Sequence, residues 1–571
     1  MTTNSVDRSH DLSQSLDRLS ADERMKAASD YLRGTIAEGL LDRITGAVPS
    51  PDDVKLMKFH GIYQQDDRDL RDERRRQKLE PAYQFMIRVR LPGGVCTSAQ
   101  WLKMDELARA HGGETLRLTT RQTFQFHWVL KDSLRPIICG LHETLLDTVA
   151  ACGDDSRGVM CTVDPQSSLF HAEVAAMAKR VSDHVIPKTR AYHEIWYGDE
   201  RVASSEPEEP FYGRTYMPRK FKIGFALPPS NDIDVYAQDL GFIAIGGPDG
   251  LEGFNVVIGG GMGRTDQAPH TYPRLASLIG FVPVERVVAC SDAVMAVQRD
   301  YGDRKDRLHA RFKYTIDDKG LDWIKAEIEK NMGAAFEEAR PFEFTTNGDS
   351  FGWNTTPDGR HHRTVFVQSG RLTLRLLDAF RDIAHVHKGT FRLTPNQNLV
   401  IAGVEEGEKE SIESLLHAHG LSEKGISTLR KNAIACVALP TCGLAMAESE
   451  RYLPELLTKI EEIVARHGLG DEAITIRTSG CPNGCSRPYI AEIALTGRAP
   501  GKYNLYLGGG FHGERLNRMI RENVAEPAIL EVLDDAIGRY ARERKAGERF
   551  GDFCIHAGIV REVTEGRFFN D

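Results

Sequence analysis

The amino-acid sequence predicts an α+β fold, built as a pseudo-twofold tandem duplication of one mixed α/β module. Two observations carry this prediction: a motif that recurs at a fixed distance along the chain, and predicted strands that are separated by long helices. The chain has 571 residues, of which 41% are hydrophobic, so it is long enough to form several packed cores.

The repeat is clearest in two pairs of segments that occur in the same order. Residues 117–122 (RLTTRQ) match residues 392–397 (RLTPNQ), which lie 275 positions later. Residues 253–261 (GFNVVIGGG) resemble residues 502–510 (KYNLYLGGG). A single shared tripeptide would be chance similarity, but two ordered pairs in a maintained register indicate a duplication.

Hydrophobic patterning supplies the elements of each copy. Strands are predicted at 124–130, 222–227, 254–258, 399–403 and 503–507, and helices at 99–111, 168–185, 372–385 and 445–467. The charged segment 68–78 (RDLRDERRRQK) predicts a solvated helix face or an extended arm. The polar stretch 317–347 is the expected boundary between the copies.

Composition excludes several classes of function. The net charge of −9, from 73 basic and 82 acidic residues, does not suit a protein that coats nucleic acid or an anionic membrane. No segment reaches the roughly 18 uninterrupted apolar residues of a membrane span, and the polar N-terminal segment lacks the apolar core of a signal peptide. Ten cysteines are too sparse for a disulfide scaffold, so we expect reduced thiols and a cytoplasmic protein.

Four of the cysteines form two short pairs. Five residues separate Cys436 from Cys442, and three separate Cys481 from Cys485. The Pro-Asn-Gly turn within the second pair directs both sulfurs the same way. A four-cysteine set suits either zinc or an iron–sulfur cluster. The spacing favours iron–sulfur, because the five-residue gap fits zinc poorly, and it leaves zinc and inert buried thiols as alternatives.

The duplication adds to this interpretation. At the offset of 275 residues Cys161 falls on Cys436, but Ser167 falls on Cys442. The first copy therefore lacks the same four-sulfur set. We expect the second copy to hold the metal and the first copy to perform a different task.

The two cysteine segments resemble the cluster-binding signature of the siroheme-dependent nitrite and sulfite reductase family. They read CVALPTCGLAMAESERYLP (436–454) and TSGCPNGCSRPY (478–489). The similarity extends from residues 19–40 (LSADERMKAASDYLRGTIAEGL) to residues 547–561 (GERFGDFCIHAGIVR), and it is closest to hemoprotein (beta) subunits of the NADPH-dependent sulfite reductases. Gly443 is a departure, since related sequences often carry proline there, but it changes no ligand.

The resemblance implies two cofactors in a central cleft. One is a 4Fe-4S cluster ligated by Cys436, Cys442, Cys481 and Cys485. The other is one siroheme, whose iron Cys485 would bridge to the cluster. Because siroheme bears eight carboxylates, it needs many polar partners. The resemblance assigns that role to Arg117, Thr119, Arg121, Gln125, His127, Arg392, Asn396, Gln397 and Asn483, and to Arg311 where related enzymes have lysine.

Four cations of the first copy have few carboxylates near them in sequence: Arg88, Arg157, Lys220 and Lys222. Any one of them alone is more often a surface ion-pair residue. Lys220 and Lys222 share one face of an extended segment, where they repel each other unless an anion lies between them. All four match sulfite-binding positions of the family, so the resemblance implies that they bind the substrate.

The resemblance also implies a domain division and a reaction. It predicts an N-terminal arm (1–80), ferredoxin-like half-repeats (81–165 and 331–435), a siroheme-binding α/β domain (166–330) and an α/β domain with the cluster (436–571). The reaction would be the six-electron reduction of sulfite to sulfide in sulfate assimilation and cysteine biosynthesis. Electrons would come from NADPH through a flavoprotein (alpha) subunit, in a hetero-oligomer. A ferredoxin-dependent sulfite or nitrite reductase is the alternative enzyme. A non-enzymatic protein that zinc stabilises is the alternative from a different functional class.

A glycine motif near the C-terminal end is a competing feature. Residues 508–513 (GGGFHG) match G-x-G-x-x-G, follow a predicted strand and precede a possible helix at 515–524, as a dinucleotide-binding fingerprint does. The matching loop at 259–263 lacks this spacing, so we interpret the glycines as a shared structural turn. The chain carries no other nucleotide or flavin motif, so we expect a separate electron donor.

Overall fold

The structure, a computed structural model, describes residues 15–163, 170–188, 194–197, 200–204, 209–247, 249–421 and 424–571. Within these ranges the chain forms sixteen α-helices and twenty-two β-strands. The strands form four five-stranded sheets and one hairpin, and the sheets come in two matching pairs. Within the described ranges, no helix is long and apolar enough to cross a membrane.

The first pair of sheets belongs to the two half-repeats. Sheet 1 contains, in spatial order, β1 (Ile62–Asp66), β2 (Tyr83–Arg88), β5 (Phe124–Val129), β4 (Leu116–Leu118) and β15 (Arg371–Leu372). Sheet 2 contains β13 (Gly352–Thr355), β14 (His361–Val365), β17 (Leu399–Val404), β16 (Thr390–Leu393) and β3 (Val95–Thr97). Strand β3 of the first copy thus closes the second sheet, and β15 of the second copy closes the first. The two half-repeats exchange an edge strand.

Helices of both half-repeats pack into one shared core. These helices are α5 (Ser98–His111), α6 (Leu134–Glu143), α11 (Leu374–Val386) and α12 (Glu406–Ala418). Trp101 of α5 is fully buried against Phe124 of its own copy and against Phe380 and Phe391 of the other, with ring centroids 5.5, 5.4 and 4.8 Å away. The buried aromatic contacts join the half-repeats into one unit.

The second pair of sheets forms the α/β domains. Sheet 3 contains β6 (Met160–Cys161), β9 (Ile223–Ala226), β10 (Leu240–Gly247), β11 (Gly250–Ile258) and β12 (Ser277–Pro283). Sheet 4 contains β18 (Ala433–Ala435), β19 (Ile476–Ser479), β20 (Ile493–Ala499), β21 (Lys502–Leu507) and β22 (Arg518–Val524). In both, the first three strands are parallel and the last two are antiparallel to their neighbours. The same topology in both sheets confirms the duplication.

The remaining helices cover these sheets or form the N-terminal arm. The first α/β domain has α7 (His171–His184), α8 (Val287–Tyr301), α9 (Phe312–Lys319) and α10 (Leu321–Met332), and the second has α13 (Thr428–Lys431), α14 (Leu453–Arg466), α15 (Glu526–Glu543) and α16 (Phe550–His556). The arm has α1 (Ala21–Ala28), α2 (Ile36–Leu41), α3 (Pro51–Leu56) and α4 (Arg71–Arg76). Strands β7 (Glu194–Tyr197) and β8 (Glu200–Ser204) form the hairpin.

Most predicted elements are present, and two differ. The predicted helix at 515–524 is wrong, because β22 occupies 518–524 as the edge strand of sheet 4. The predicted helix at 445–467 begins only at Leu453, where a proline in the first turn favours a helix start. The stretch 317–347, the expected boundary between the copies, contains α10, whose Ile324 and Ile328 are fully buried in the core of the first α/β domain. The charged segment at 68–78 contains the exposed helix α4, as expected, and positions 168–169 of the predicted helix 168–185 lie outside the described residues. The domain boundaries stay a prediction.

The structure also corrects the register between the copies. Gln122 Oε1 accepts from the N–H of Cys161 at 2.9 Å, and the equivalent Gln397 Oε1 accepts from the N–H of Ala435 at 3.2 Å. Cys161 therefore corresponds to Ala435, and its predicted match with Cys436 is wrong by one residue. The second copy is one residue shorter between these points.

Candidate functional site

The four predicted cluster cysteines lie at one edge of sheet 4. Cys436 follows β18 directly, and Cys481 and Cys485 follow the neighbouring parallel strand β19. Because the carboxyl ends of parallel strands share an edge, the three thiols come together there, and the loop after β18 adds Cys442. Cys485 is the most exposed of the four, whereas Cys481 is buried.

The thiols act on one another electrostatically. Burial raises the pKa of Cys436 and of Cys481 to about 12, and in both cases the charge of Cys485 adds to the effect. Burial and Cys485 also raise the pKa of Cys442. Four thiolates gathered at one site repel one another unless cations neutralise their charge. Within the described residues, no group of three or more His, Cys, Asp or Glu side chains is arranged to hold a single metal ion.

Several N–H groups are directed at these sulfurs. The backbone N–H of Gly480 donates to Cys436 Sγ at 3.2 Å, and Asn483 Nδ2 lies 3.5 Å from Cys481 Sγ. Backbone N–H groups of residues 444 and 445 face Cys442. Such donors stabilise thiolate sulfur that carries iron. The predicted ligands therefore fit an iron–sulfur cluster by their chemistry.

The first copy replaces two of these thiols by oxygen. Thr162 N donates to Phe225 O at 2.9 Å, just as Cys436 N donates to Thr478 O at 3.1 Å, so Thr162 takes the place of Cys436. The loop between β9 and β10 is as long as the one between β19 and β20, and this places Asp232 where Cys485 stands. Thr162 Oγ1 donates to Asp232 Oδ1 at 2.8 Å. Only the second copy has the predicted four-cysteine set.

A row of cations crosses sheet 1. Arg88, Gln125, Arg117 and Arg371 are direct neighbours on β2, β5, β4 and β15. With its amide oriented to accept, Gln125 Oε1 takes hydrogen bonds from Arg88 at 2.7 and 3.2 Å. Arg117 Nη2 donates to the carbonyl of Ala435, next to Cys436, at 2.9 Å. The row therefore extends to the edge of the cysteine site.

The predicted substrate lysines lie in a second group of cations. Burial, together with Arg157, holds the pKa of Lys220 well below its ordinary value, and burial with Arg121 does the same for Lys222. Burial and Arg157 lower the pKa of Arg121 to about 9. Both lysines nevertheless keep partial solvent access, as side chains that line a cleft do. Among the described residues, none forms a hydrogen bond or an ion pair with either ammonium group.

This cation group lies against the most exposed cluster cysteine. The charge of Cys485 favours the protonated form of Lys220, so the two side chains are near each other. Arg311 also faces both lysines, and its Nη2 pairs with the buried Asp239 at 3.0 and 3.1 Å. Buried cations in excess of carboxylates are costly unless an anion joins them. The arrangement therefore suits an anionic ligand.

Other predicted cofactor residues are used mainly within the protein. Thr119 Oγ1 accepts from the N–H groups of residues 121 and 123 at 3.3 Å, and so holds a turn. Gln397 is 1% exposed and holds the strand before Cys436. Asn396 Nδ2 donates to Asp349 at 2.9 Å. Arg392 Nη1 donates to the carbonyl of Val163 at 3.4 Å, on the opposite side of the pseudo-twofold axis from Arg117.

His127 is 1% exposed beside the arginine row. Burial, with the charges of Arg371, Arg117 and Arg88, holds its pKa well below the ordinary value. Its imidazole is therefore neutral at neutral pH.

A separate cavity of about 410 Å³ lies beside Arg371. It is lined by none of the cysteines or pocket lysines, so it is not part of the candidate site.

An ion-pair triad that the sequence did not predict supports the cysteine turn. Asp234 is fully buried and accepts from Arg477 Nη1 at 2.6 Å and from Arg487 Nε. Arg487 follows Cys485 by two residues, and its Nη1 donates to Thr120 O at 2.7 Å. Asp234 and Arg487 occupy equivalent places in the two copies, and both have left-handed backbones before a short 3₁₀ helix. The alignment of the two copies makes Asp234 and Arg487 equivalent positions, but it does not show that their side chains form an ion pair.

Comparison with known proteins gives matches along the whole chain. A family described as the nitrite and sulphite reductase 4Fe-4S domain matches residues 176–336, and the nitrite/sulfite reductase ferredoxin-like half domain matches residues 76–144 and 354–419. The two half-domain matches coincide with the two half-repeats. The four cysteines lie outside both families' matched ranges.

Full-length relatives are more specific. Proteins named sulfite reductase (NADPH) hemoprotein beta-component are 70% identical in Nitrosomonas europaea, over 99% of both chains, and 55% identical in Staphylococcus carnosus, over 96% of this chain and 97% of the relative. The solved structure of the NirA protein of Mycobacterium tuberculosis is 25% identical, with a TM-score of 0.78 over 94% of this chain and 96% of that one. The chain belongs to the family of sulfite reductase (NADPH) hemoprotein beta-components.

Proposed function

We propose that this chain is the hemoprotein component of an assimilatory sulfite reductase, which reduces sulfite to sulfide with six electrons. The reaction serves sulfate assimilation and cysteine biosynthesis, and we place it in the cytoplasm. Family membership supports the reaction. The structural observation that carries it is the proximity of Lys220, which has no ion-pair partner among the described residues, to the exposed thiol of Cys485.

One siroheme and one 4Fe-4S cluster belong to this proposal. The four cysteines, with N–H donors directed at their sulfurs, fit the cluster. The excess of buried arginine and lysine in the cleft fits a macrocycle with many carboxylates. Together the two groups supply one-electron transfer to a bound substrate. Cys485 would be the thiol that holds both the cluster and the siroheme, because it is the exposed thiol of the four and its charge acts on Lys220 of the cation group.

The protein's own side chains are proposed to bind and orient sulfite. Arg88, Arg157, Lys220 and Lys222 would surround the dianion with N–H donors. Charge-assisted hydrogen bonds of this kind are short and strong, and they are stronger still in a site shielded from water. Arg157 is held by two hydrogen bonds to the carbonyl of Gly153, at 3.2 and 3.0 Å, so its guanidinium has a fixed direction. The same N–H groups can pass protons to the substrate oxygens.

Reduction rates on two anions test the proposal. Purified holoprotein is supplied with reduced methyl viologen and either sulfite or nitrite, and kcat/KM is measured for each. We expect a clear preference for sulfite, and a strong preference for nitrite would overturn the choice of substrate. Cys485→Ser is expected to abolish sulfite turnover and the magnetic coupling between cluster and heme, and normal turnover would refute its bridging role.

A flavoprotein subunit that delivers electrons from NADPH is the proposed partner. The loop after Cys442 reaches the surface, where Leu444 is 67% exposed. Arg68 Nη1 donates to the carbonyl of Cys442 at 3.2 Å and leads to the exposed basic helix α4. An electron-donating domain with an acidic surface would complement the exposed Leu444 and the basic residues Arg68 and those of α4.

Replacing one exposed leucine tests the partner surface. Leu444→Asp is expected to slow sulfite reduction driven by NADPH and the flavoprotein, and to leave the methyl viologen rate unchanged. Leu145→Asp is the matched control, because Leu145 is 92% exposed and follows α6, away from the cysteine loop in the chain. Equal flavoprotein-driven rates for the two variants would refute this surface.

A further inference from the structure

The N-terminal helix α1 reaches the segment that precedes the pocket lysines. Its residues Glu23 and Lys26 are 1% and 0% exposed. Glu23 Oε1 accepts from Lys26 Nζ at 2.6 Å, and Glu23 Oε2 accepts from Arg304 Nη1 at 2.6 Å. One buried carboxylate thus joins two buried cations, one on α1 and one in the segment after α8.

The two cations of this cluster also hold three consecutive backbone carbonyls. Lys26 Nζ donates to Met217 O at 2.8 Å. Arg304 donates to Tyr216 O at 2.6 Å and to Thr215 O at 3.3 Å. Tyr216 has a φ of 54°, a left-handed conformation that is unfavourable for a large side chain. The hydrogen bonds from Lys26 and Arg304 keep this strained segment in place.

The clamped segment leads straight into the pocket. Lys220 follows it by three residues, and Phe221 between the two lysines is fully buried. Phe221 N donates to Asp155 O at 2.9 Å, and Phe221 O accepts from Arg157 N at 2.9 Å. A shift of the segment would therefore move Lys220, Lys222 and Arg157 together.

A second path of ion pairs joins α1 to the same region. Arg307 lies 2.8 Å from Asp22 of α1 and 2.8 Å from Asp154. Asp154 is also 3.9 Å from Lys26 and accepts, through its backbone oxygen, the N–H of Met217 at 3.0 Å. The segment that precedes Lys220 and the loop that precedes Arg157 are thus both connected to helix α1.

We propose that Glu23 and Lys26 are positioning residues for sulfite binding, which act through Arg304 and the carbonyls of residues 215–217 on Lys220 and Lys222. Helix α1 of the N-terminal arm then helps to hold the substrate lysines in position. The inference rests on the proposed function, because it takes the two lysines to bind sulfite.

Kinetics of the holoprotein provide the first test. Lys26→Met removes the ammonium group and keeps a long unbranched side chain. We expect the KM for sulfite to rise about tenfold, which corresponds to ~1.4 kcal/mol, with kcat changed by less than about threefold and siroheme absorbance retained. Lys26→Arg is expected to restore most of the affinity. Lys55→Met is the matched control, since Lys55 lies on the same arm, is 42% exposed and pairs with Asp22 at 3.0 Å.

Hydrogen exchange of the same proteins is the second test, and it needs no turnover. Peptides that cover residues 215–222 are expected to exchange about tenfold faster in Lys26→Met than in wild type or Lys55→Met. Unchanged exchange overturns the inference, and so does faster exchange with an unchanged KM, because α1 would then hold the segment without positioning the lysines. If Lys26→Met does not fold, Glu23→Gln takes its place with the same outcomes.

Different results would refute the proposed function and the positioning role of α1. If wild-type protein does not reduce sulfite, the proposed function falls. The exchange measurement and the dissociation constant for sulfite, from siroheme absorbance, still decide whether α1 positions the lysines.

Discussion

The buried triad of Asp234, Arg477 and Arg487 gives the sharpest stability prediction. Asp234→Asn keeps the shape of the side chain and removes the one charge that both guanidinium groups share. Arg477 and Arg487 are 2% and 4% exposed, so water cannot replace the lost partner. Breaking a buried ion pair costs about 3–5 kcal/mol. Because two cations lose the same partner, we expect a loss near the upper end of that range in the free energy of unfolding.

A more exposed ion pair between the same two copies is the matched control. Asp266 pairs with Arg498, and their side chains are 19% and 22% exposed. Water and salt screen such a pair, so Asp266→Asn is expected to cost only about 0.2–1 kcal/mol. Guanidinium unfolding of both variants, followed by tryptophan fluorescence, measures the difference. Equal losses below about 1 kcal/mol would refute the reasoning that burial makes the triad strong.

The same triad predicts an acid dependence. Burial alone would raise the pKa of Asp234, but Arg477 and Arg487 hold it below its usual value of 3.8. A depressed pKa in the folded state means that this carboxylate stabilises the fold above about pH 3.8, and that the stabilisation is lost as the pH falls through the folded-state pKa. The stability gap between wild type and Asp234→Asn should therefore narrow below about pH 4. A constant gap would contradict the assignment.

Two further substitutions test the cluster turn and the pocket. Gly480→Ala is expected to lose iron and acid-labile sulfide, because a Cβ there would lie 2.5 Å from Ala438 Cβ and 2.6 Å from Ala447 O, whereas Gly443→Ala, with nothing within 4 Å, should keep both. Equal iron contents would speak against this. Lys220→Ala is expected to weaken sulfite binding by about 1.5–3 kcal/mol, measured as a dissociation constant from siroheme absorbance. An unchanged affinity would remove Lys220 from the pocket.

The sequence predicts those features that local patterns encode. Strand β5 and helix α5 follow from periodicity, and the thiol pairs follow from spacing and a Pro-Asn-Gly turn. The exchange of β3 and β15 could not be predicted, because these strands are three and two residues long and pair with residues about 295 and about 255 positions away. The one-residue shift that moves Cys161 onto Ala435 leaves no local mark either. The hydrogen bonds of Gln122 and Gln397, and the pairing of β6 and β18 with their neighbouring strands, reveal it.

Long-range ion pairs are a second kind of feature that the sequence alone does not predict. Arg477 and Asp234 are 243 residues apart, and neither stands out among the charged residues of the chain. The family resemblance supplied the pocket cations but not the groups that position them. Those groups become visible only when burial and hydrogen bonds are known. Gln397 illustrates the reverse case, because a predicted cofactor residue proves to hold the backbone beside a predicted ligand.

The two copies differ in function through few side chains on one backbone. Lys222 O accepts from Leu240 N at 3.0 Å, and Thr475 O accepts from Ile493 N at 3.0 Å, so Thr475 stands where the first copy has a pocket lysine. Thr475 is instead bound to the buried Glu492, at 2.8 Å through its N–H. The first copy, in turn, has the Thr162–Asp232 hydrogen bond where the second has two thiols.

An oxygen pair does not replace thiolates as iron–sulfur ligands, and a threonine does not replace an ammonium group as an anion donor. Each copy has therefore lost the group that the other provides. The buried pair of Asp234 with Arg487, itself formed by equivalent positions, holds the two halves of this divided site against each other.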